Sequence, residues 1–248
     1  KFLSNFINLK LIFNFHNYPV KFNKSKFKKK YERYIANFIF NNSDNLITVS
    51  KSVVDSLSFY KLNKIQLSKL CFIHNGIDPL TMSNTINSKE IKLKYDIPLN
   101  CKIHLIIGTL EERKGHKFLL NIFKKVIQKN PNNHLVICGH GLPNEILEIN
   151  KLIILNNLQN HCSLKGFVES IEEIFSITDF LLIGSQSGES FGLPAIEAMS
   201  LKIPFLSSDF GGLGEIIIDG NGGYKSSYKD IDAFFAKLNY LHSLNNIE

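Results

Sequence analysis

The densest set of residues able to hold a charged ligand lies in Gly184-Ser-Gln-Ser-Gly-Glu-Ser-Phe-Gly-Leu-Pro-Ala-Ile-Glu-Ala-Met199. This segment leaves a short apolar run and enters helix-forming residues. Pro194 suits the first helical position, where its missing N–H would have no intrahelical acceptor. Phe191, Gly192 and Leu193 then present free amides at a positive helix end. Such an end favours phosphate, and Gly192 lets a ligand approach the backbone closely. Glu189 and Glu197 flank the cradle. Each carboxylate can accept two hydroxyl hydrogen bonds, so the pair suits neutral polyols, a sugar on one side and a ribose on the other. Taken alone, the two acids are equally consistent with a surface loop acid and an acid drawn to a helix dipole.

The elements that must position this segment are readable from apolar runs. Leu9 to Phe15, Leu46 to Val49, Lys102 to Ile107, His134 to Cys138, Phe180 to Ile183 and Ile203 to Leu206 read as strands, alternating with helix-period stretches. That is a parallel α/β pattern. Lys117 to Lys129 gathers Leu119, Leu120, Ile122, Phe123, Val126 and Ile127 on one face, and Ser170 to Glu173 reads as a capping box opening the next helix. Doubly wound sheets of this kind bind ligands beyond the carboxyl ends of their strands. The turn dipeptide Asn75-Gly76 and the polar stretch Thr81 to Asn100 place a hinge near residue 77. Ahead of it the sequence supplies two strands and their helices, which read as the back end of a domain. His16 follows a strand expected to be buried.

The 248 residues have 44% hydrophobic and 21% charged content, an ordinary globular balance. No apolar run approaches the roughly 18 to 20 residues that span a bilayer. The chain starts at Lys1 without a signal-peptide cleavage pattern and reads as a truncation of a soluble or at most peripheral protein. Cys71, Cys101, Cys138 and Cys162 show neither a CxxC pair nor metal spacing, which fits a reduced, cytoplasmic protein. The net charge of +7 is concentrated in Lys21, Lys24, Lys26, Lys28, Lys29, Lys30 and Arg33. This run fits a solvated helix face, an anionic membrane surface or nucleic acid; no aromatic-interleaved or zinc-finger motif favours the last. Asp230-Ile-Asp232 reads as a helix cap in preference to a metal site. Gly139-His-Gly141 lacks the third glycine of a dinucleotide fingerprint.

Glu189-Ser-Phe-Gly-Leu-Pro-Ala-Ile-Glu197 resembles the E-x7-E signature of the family 4 retaining glycosyltransferases, which have the GT-B fold of two Rossmann-like domains. Gly211-Gly-Leu-Gly-Glu-Ile-Ile217 is similar to the segment that follows the signature. Asn75-Gly-Ile-Asp78 resembles the hinge, Gly108-Thr-Leu-Glu-Glu-Arg-Lys-Gly115 the first donor loop and Gly166-Phe-Val168 the base-contacting turn. The similarity runs over residues 9–224. It implies that residues 1–77 are the C-terminal part of an acceptor-binding domain, the first domain being incomplete, and that residues 78–248 bind the donor.

The resemblance also implies roles. Glu189 holds hydroxyls of the transferred sugar, Glu197 the ribose, and the loop amides after Glu189 the diphosphate. Lys114 and Arg113 offset leaving-group charge without a metal or other cofactor, Val168 lies at the base, and His16 lies against the donor sugar. Two departures stand out: many relatives carry arginine where this chain has Thr109, and Lys202 stands where glycine usually ends the signature helix. A lysine forced left-handed there costs about 1 kcal/mol. The implied reaction moves a sugar from a nucleotide-diphosphate sugar to a sugar or lipid-linked acceptor, in cell-envelope polysaccharide or glycolipid synthesis, at or near the inner face of the membrane. A nucleotide-sugar epimerase of similar fold and a non-catalytic nucleotide-sugar-binding fragment are the alternatives.

Overall fold

The structure, a computed structural model, describes residues 10–18, 26–78 and 87–244. Two compact units result: residues Lys1–Gly76 with Gly188–Phe191, and residues Ile77–Ser187 with Gly192–Glu248. Leu9, Lys21, Lys24 and Thr81, which figure in the expected strand, basic run and polar stretch, lie outside the described residues.

The first unit holds β1 (Ile12–Phe15), α1 (Lys26–Asn42), β2 (Asn45–Thr48), α2 (Lys51–Ser56), α3 (Lys64–Ser68) and β3 (Leu70–Phe72). The strands form a parallel sheet in the order β1-β2-β3, one strand more than the sequence led us to expect. β3 escapes detection because only three residues pair and two of them are exposed. β1 is half exposed, so His16 does not follow a buried strand. Gly76 lies in irregular chain without a positive φ, so Asn75-Gly76 makes no tight turn. The helices fasten through their polar ends. Lys69 Nζ donates to the Ser43 carbonyl at 2.8 Å, placing a cation where the α1 dipole is negative. Arg33 of the basic run turns inward, its Nη2 3.3 Å from the Phe59 carbonyl and its guanidinium over the Phe59 ring. The far face of α1 exposes Tyr31, Tyr34, Ile35 and Phe38.

The second unit contains α4 (Ser88–Lys94), β4 (Lys102–Ile107), α5 (His116–Lys129), β5 (Asn133–Cys138), α6 (Pro143–Leu155), β6 (Cys162–Gly166), α7 (Ile171–Ser176), β7 (Phe180–Ile183), α8 (Leu193–Ser200), β8 (Phe205–Ser208), α9 (Gly212–Ile216), β9 (Gly223–Ser226) and α10 (Ile231–Leu244). Its six parallel strands run in the order β6-β5-β4-β7-β8-β9. Alternation along β4 sends Ile103 and Leu105 to one face and Ile106 to the other. One face packs α5, α6 and α10 through Phe123, Leu152 and Phe234; the other packs α4, α7, α8 and α9 through Ile91, Phe175, Ala195 and Leu213. A fully buried side chain of this size contributes roughly 1.5–3 kcal/mol, so the two layers fix the sheet from both sides.

Ser170 begins α7 without the expected capping box. Its hydroxyl donates to Glu172, and Glu173 instead pairs with Lys94 at 2.6 Å and accepts from the Tyr95 hydroxyl at 2.8 Å, tying α7 to α4. Asp230 does cap α10, accepting from Ala233 N at 2.9 Å.

Candidate functional site

Strand β4 pairs with β5 on one side and β7 on the other, and the chain leaves β4 toward one face of the sheet and β7 toward the opposite face. This is the topological switch point, where the loops after two neighbouring strands diverge and open a crevice. Loop 108–115 rises from β4 and loop 184–192 from β7.

Loop 108–115 is clamped by glycines. On one side, a Cβ on Gly139 would stand 1.6 Å from the Gly108 carbonyl oxygen, and one on Gly141 would stand 2.7 Å from Leu110 Cβ. Gly108 N and Leu110 N donate across this contact to the carbonyls of Cys138 and His140 at 3.0 and 2.9 Å. On the other side, a Cβ on Gly115 would meet the Gly184 carbonyl oxygen at 1.9 Å, and Gln186 N donates to the Arg113 carbonyl at 2.8 Å. No residue with a side chain fits at these backbone crossings. The loop tip, Glu112–Lys114, is a single 3₁₀ turn, and Gly115 at φ 73° leads into α5.

That clamp sets where the two candidate cations stand. The aliphatic stem of Lys114 lies 3.8 Å from the position a Gly108 Cβ would take, so the side chain crosses back over the loop. Arg113 forms an ion pair with Glu111 through Nε, and this guanidinium is the leading reason the Glu111 carboxyl is held below its usual range. Arg113 is one of the two cations that the resemblance sets against the leaving-group charge; the structure gives its charge a carboxylate partner.

At the start of α8, Gly192 takes φ 97° and ψ 55°, and a Cβ there would come 2.3 Å from Leu213 Cδ2. Leu193 and Pro194 open the helix, so the Leu193 N–H belongs to the first turn, which lacks intrahelical acceptors. Glu197 stands half-buried within α8. Burial first, and the neighbouring charge of Glu172 second, raise its carboxyl above the ordinary range. Glu172 is a residue the sequence reading passed over; its position two residues into α7 gave no signal of proximity to α8. Val168 packs against the core on the α8 side of the sheet, just after Gly166, whose carbonyl accepts from Gly139 N at 2.7 Å. The structure thus brings Arg113, Lys114, Gly192, Leu193, Glu197 and Val168 to the carboxyl ends of strands in the second unit.

His16 and Glu189 belong to the first unit. His16 is exposed immediately after β1, and Glu189 is buried at 7% exposure. In the same unit the Phe191 ring lies 5.4 Å from the ring of His74, and His74 lies 5.4 Å from Phe72. His74 carried no signal in the sequence beyond its place after a short apolar run. Among the described residues no group of three or more His, Cys, Asp or Glu side chains could hold a metal ion, and no helix is long and apolar enough to cross a membrane.

Residues 87–247 match the family described as glycosyl transferases group 1. An uncharacterized glycosyltransferase of Methanocaldococcus jannaschii is 30% identical over 180 residues, covering 71% of this chain and 45% of that protein. N-acetyl-alpha-D-glucosaminyl L-malate synthase of Bacillus anthracis is 25% identical over 191 residues, covering 77% of this chain and 48% of that protein. The chain therefore spans about half the length of these relatives. Among solved structures, Anabaena HepE in complex with UDP and glucose superposes with a TM-score of 0.80 at 18% identity, over 96% of this chain and 63% of that one. A glycosyltransferase from Rickettsia africae gives a TM-score of 0.77 at 24% identity over 97% and 62%. These likenesses place the fold in the GT-B group.

Proposed function

This chain belongs to the group 1 glycosyl transferases, and from that premise we propose that the whole protein transfers a sugar from a nucleotide-diphosphate sugar to an acceptor, with retention of anomeric configuration. The observation that carries the reading is the switch-point crevice, where a glycine-clamped loop bearing Lys114 faces the loop that opens α8 ahead of Glu197. The amides of Phe191, Gly192 and Leu193 receive the diphosphate at the positive helix end. Glu197 accepts the ribose hydroxyls; a carboxylate raised by burial and a like charge is stabilised by two donated hydrogen bonds. Glu189 takes hydroxyls of the transferred sugar, Val168 meets the base, and His16 lies against the sugar.

The chemistry then needs charge placed where the leaving diphosphate forms. Lys114, assisted by Arg113, supplies it without a metal, and a preorganised cation of this kind lowers the barrier because it is already in place as the bond breaks. The leaving phosphate takes the acceptor proton on the same face, which gives retention. The product is a cell-envelope polysaccharide or glycolipid. Its acceptor is a sugar or lipid-linked saccharide met at the inner face of the membrane, with the basic Lys21–Arg33 run and the exposed aromatic face of α1 resting on anionic lipid.

Titration calorimetry with UDP, GDP and ADP tests the donor site directly. One nucleotide should bind selectively, and Glu197→Gln and Lys114→Ala should each weaken it about tenfold or more, the scale of a charge-assisted hydrogen bond. Binding unchanged by both substitutions would overturn the assignment. An inverted product, read by NMR from the whole enzyme, would overturn retention.

A further inference from the structure

The tetrapeptide Gly188–Phe191 packs with the first unit, although the chain on either side of it, up to Ser187 and from Gly192, packs with the second. Glycines bracket it: Gly188 holds φ at 64° and Gly192 at 97°. Glycine resists reorientation least of all residues, so side-chain packing decides where the segment lies. Its buried side chains are Glu189 and Phe191, the latter at 3% exposure.

The Phe191 ring rests on His74, its plane tilted 47° from the imidazole, and the imidazole is tilted 39° from the ring of Phe72. Centroid separations of 5.4 Å in both pairs fall in the range where aromatic rings attract beyond their buried area. His74 has a fixed base. Phe72 closes β3 opposite Thr48, and Ile73 N donates to the Thr48 carbonyl at 2.8 Å, so the ladder between β2 and β3 holds the chain up to the residue before His74. A continuous path thus runs from the sheet through Ile73 and two rings to the backbone of Phe191.

We propose that His74 is a positioning residue for the donor diphosphate: its ring, in contact with Phe72 and Phe191, holds the Phe191 amide where a phosphate oxygen is received. The inference rests on the donor-site reading above, and in it His74 itself touches no phosphate. His74 is exposed, so removing its ring opens no cavity in the core and leaves the ladder bonds in place. What is lost is the surface on which Phe191 lies.

Titration calorimetry of this chain with UDP, GDP and ADP, and with uridine, guanosine and adenosine, tests the proposal. His74→Ala should weaken the diphosphate that the parent binds about three- to tenfold, the scale of one aromatic pair. The matching nucleoside should stay within about twofold, because Glu197 and Val168 receive ribose and base without Phe191. His74→Phe keeps a ring at the position and should restore the parent's affinity. Amide hydrogen exchange over residues 188–192 should quicken in His74→Ala and return to the parent's rate in His74→Phe, with the melting temperature unchanged. Equal weakening of diphosphate and nucleoside would reveal a role in stability alone and overturn the proposal, as would unchanged exchange or a failure of His74→Phe to rescue. If Glu197→Gln and Lys114→Ala weaken the diphosphate and His74→Ala does not, this inference falls and the donor-site reading stands; no diphosphate binding at all overturns both.

Discussion

Lys202 holds φ at 58°, in the left-handed region, where the helix α8 has ended and the chain turns toward β8. A side chain there is strained, and glycine is not, so Lys202→Gly should stabilise the fold by about 1 kcal/mol, less the extra freedom glycine gives the unfolded chain. Urea denaturation at neutral pH reads this; a loss of stability would mean that the lysine side chain makes a compensating contact. The opposite sign is expected at Gly139, where even a methyl group would sit 1.6 Å from the Gly108 oxygen. Gly139→Ala should cost about 1–3 kcal/mol or more as the two loops separate, visible as a lower urea midpoint with the m-value unchanged. The Asp230 cap was legible in the sequence because it depends on the residue and its immediate neighbours, whereas the Lys202 strain was reached through the resemblance, from the glycine that usually stands there. The Ser170 box was not, since Glu173 is drawn away by Lys94 and Tyr95, nearly eighty residues earlier.

At the scale of elements, β4 and β7 were legible to the residue because their central positions are buried on both faces and predominantly apolar. β6 and β9 are the outer strands of their sheet, and their sequences Cys-Ser-Leu-Lys-Gly and Gly-Tyr-Lys-Ser carry no such run. α4 hid in the polar stretch because it buries a single residue, Ile91. Of the candidate site, the loop-to-helix entry at Gly192 to Pro194 was readable from residue types. The clamp on loop 108–115 was not, because it depends on backbone meeting backbone across three separate loops. The C-terminal helix gives a test at this scale. α10 is held to α5 by Lys125 and Asp232 at 2.5 Å on the surface and by Phe234 in the core, edge-on to Phe118 at 5.0 Å. Phe234→Ala should cost about 3–5 kcal/mol, whereas Asp232→Asn should cost under about 1 kcal/mol because the pair is solvated. Thermal unfolding of the two variants should therefore separate them clearly; equal losses would mean that the ion pair carries the docking.

For the molecule as a whole, acid is the condition its interior tolerates least. His104, His134 and His242 are pushed down to about 3, 4 and 4, burial being the first cause in each. His104 is fully buried, stacked on Phe180, with its Nε2 3.0 Å from Asn133 Oδ1. A folded-state pKa below the unfolded value of 6.5 means that the unfolded chain takes up the proton first. Stability from this group is whole above pH 6.5 and falls as pH drops toward 3, by about 3 kcal/mol at pH 4.5 for His104 alone. Denaturation curves at pH 7 and 4.5 should show this loss, and His104→Gln should reduce it. An unchanged slope in the variant would assign the acid sensitivity to other groups.

The clamp on loop 108–115 also has a meaning in time and entropy. The amides of Gly108, Leu110, Lys114 and Gly115 are already bonded to carbonyls of the chain itself. A ligand arriving there finds little backbone motion left to freeze, so its affinity is not diminished by ordering the loop. Amide hydrogen exchange at these four positions should accordingly be slow before any ligand is added and should slow little further on binding, unlike a loop that folds around its guest.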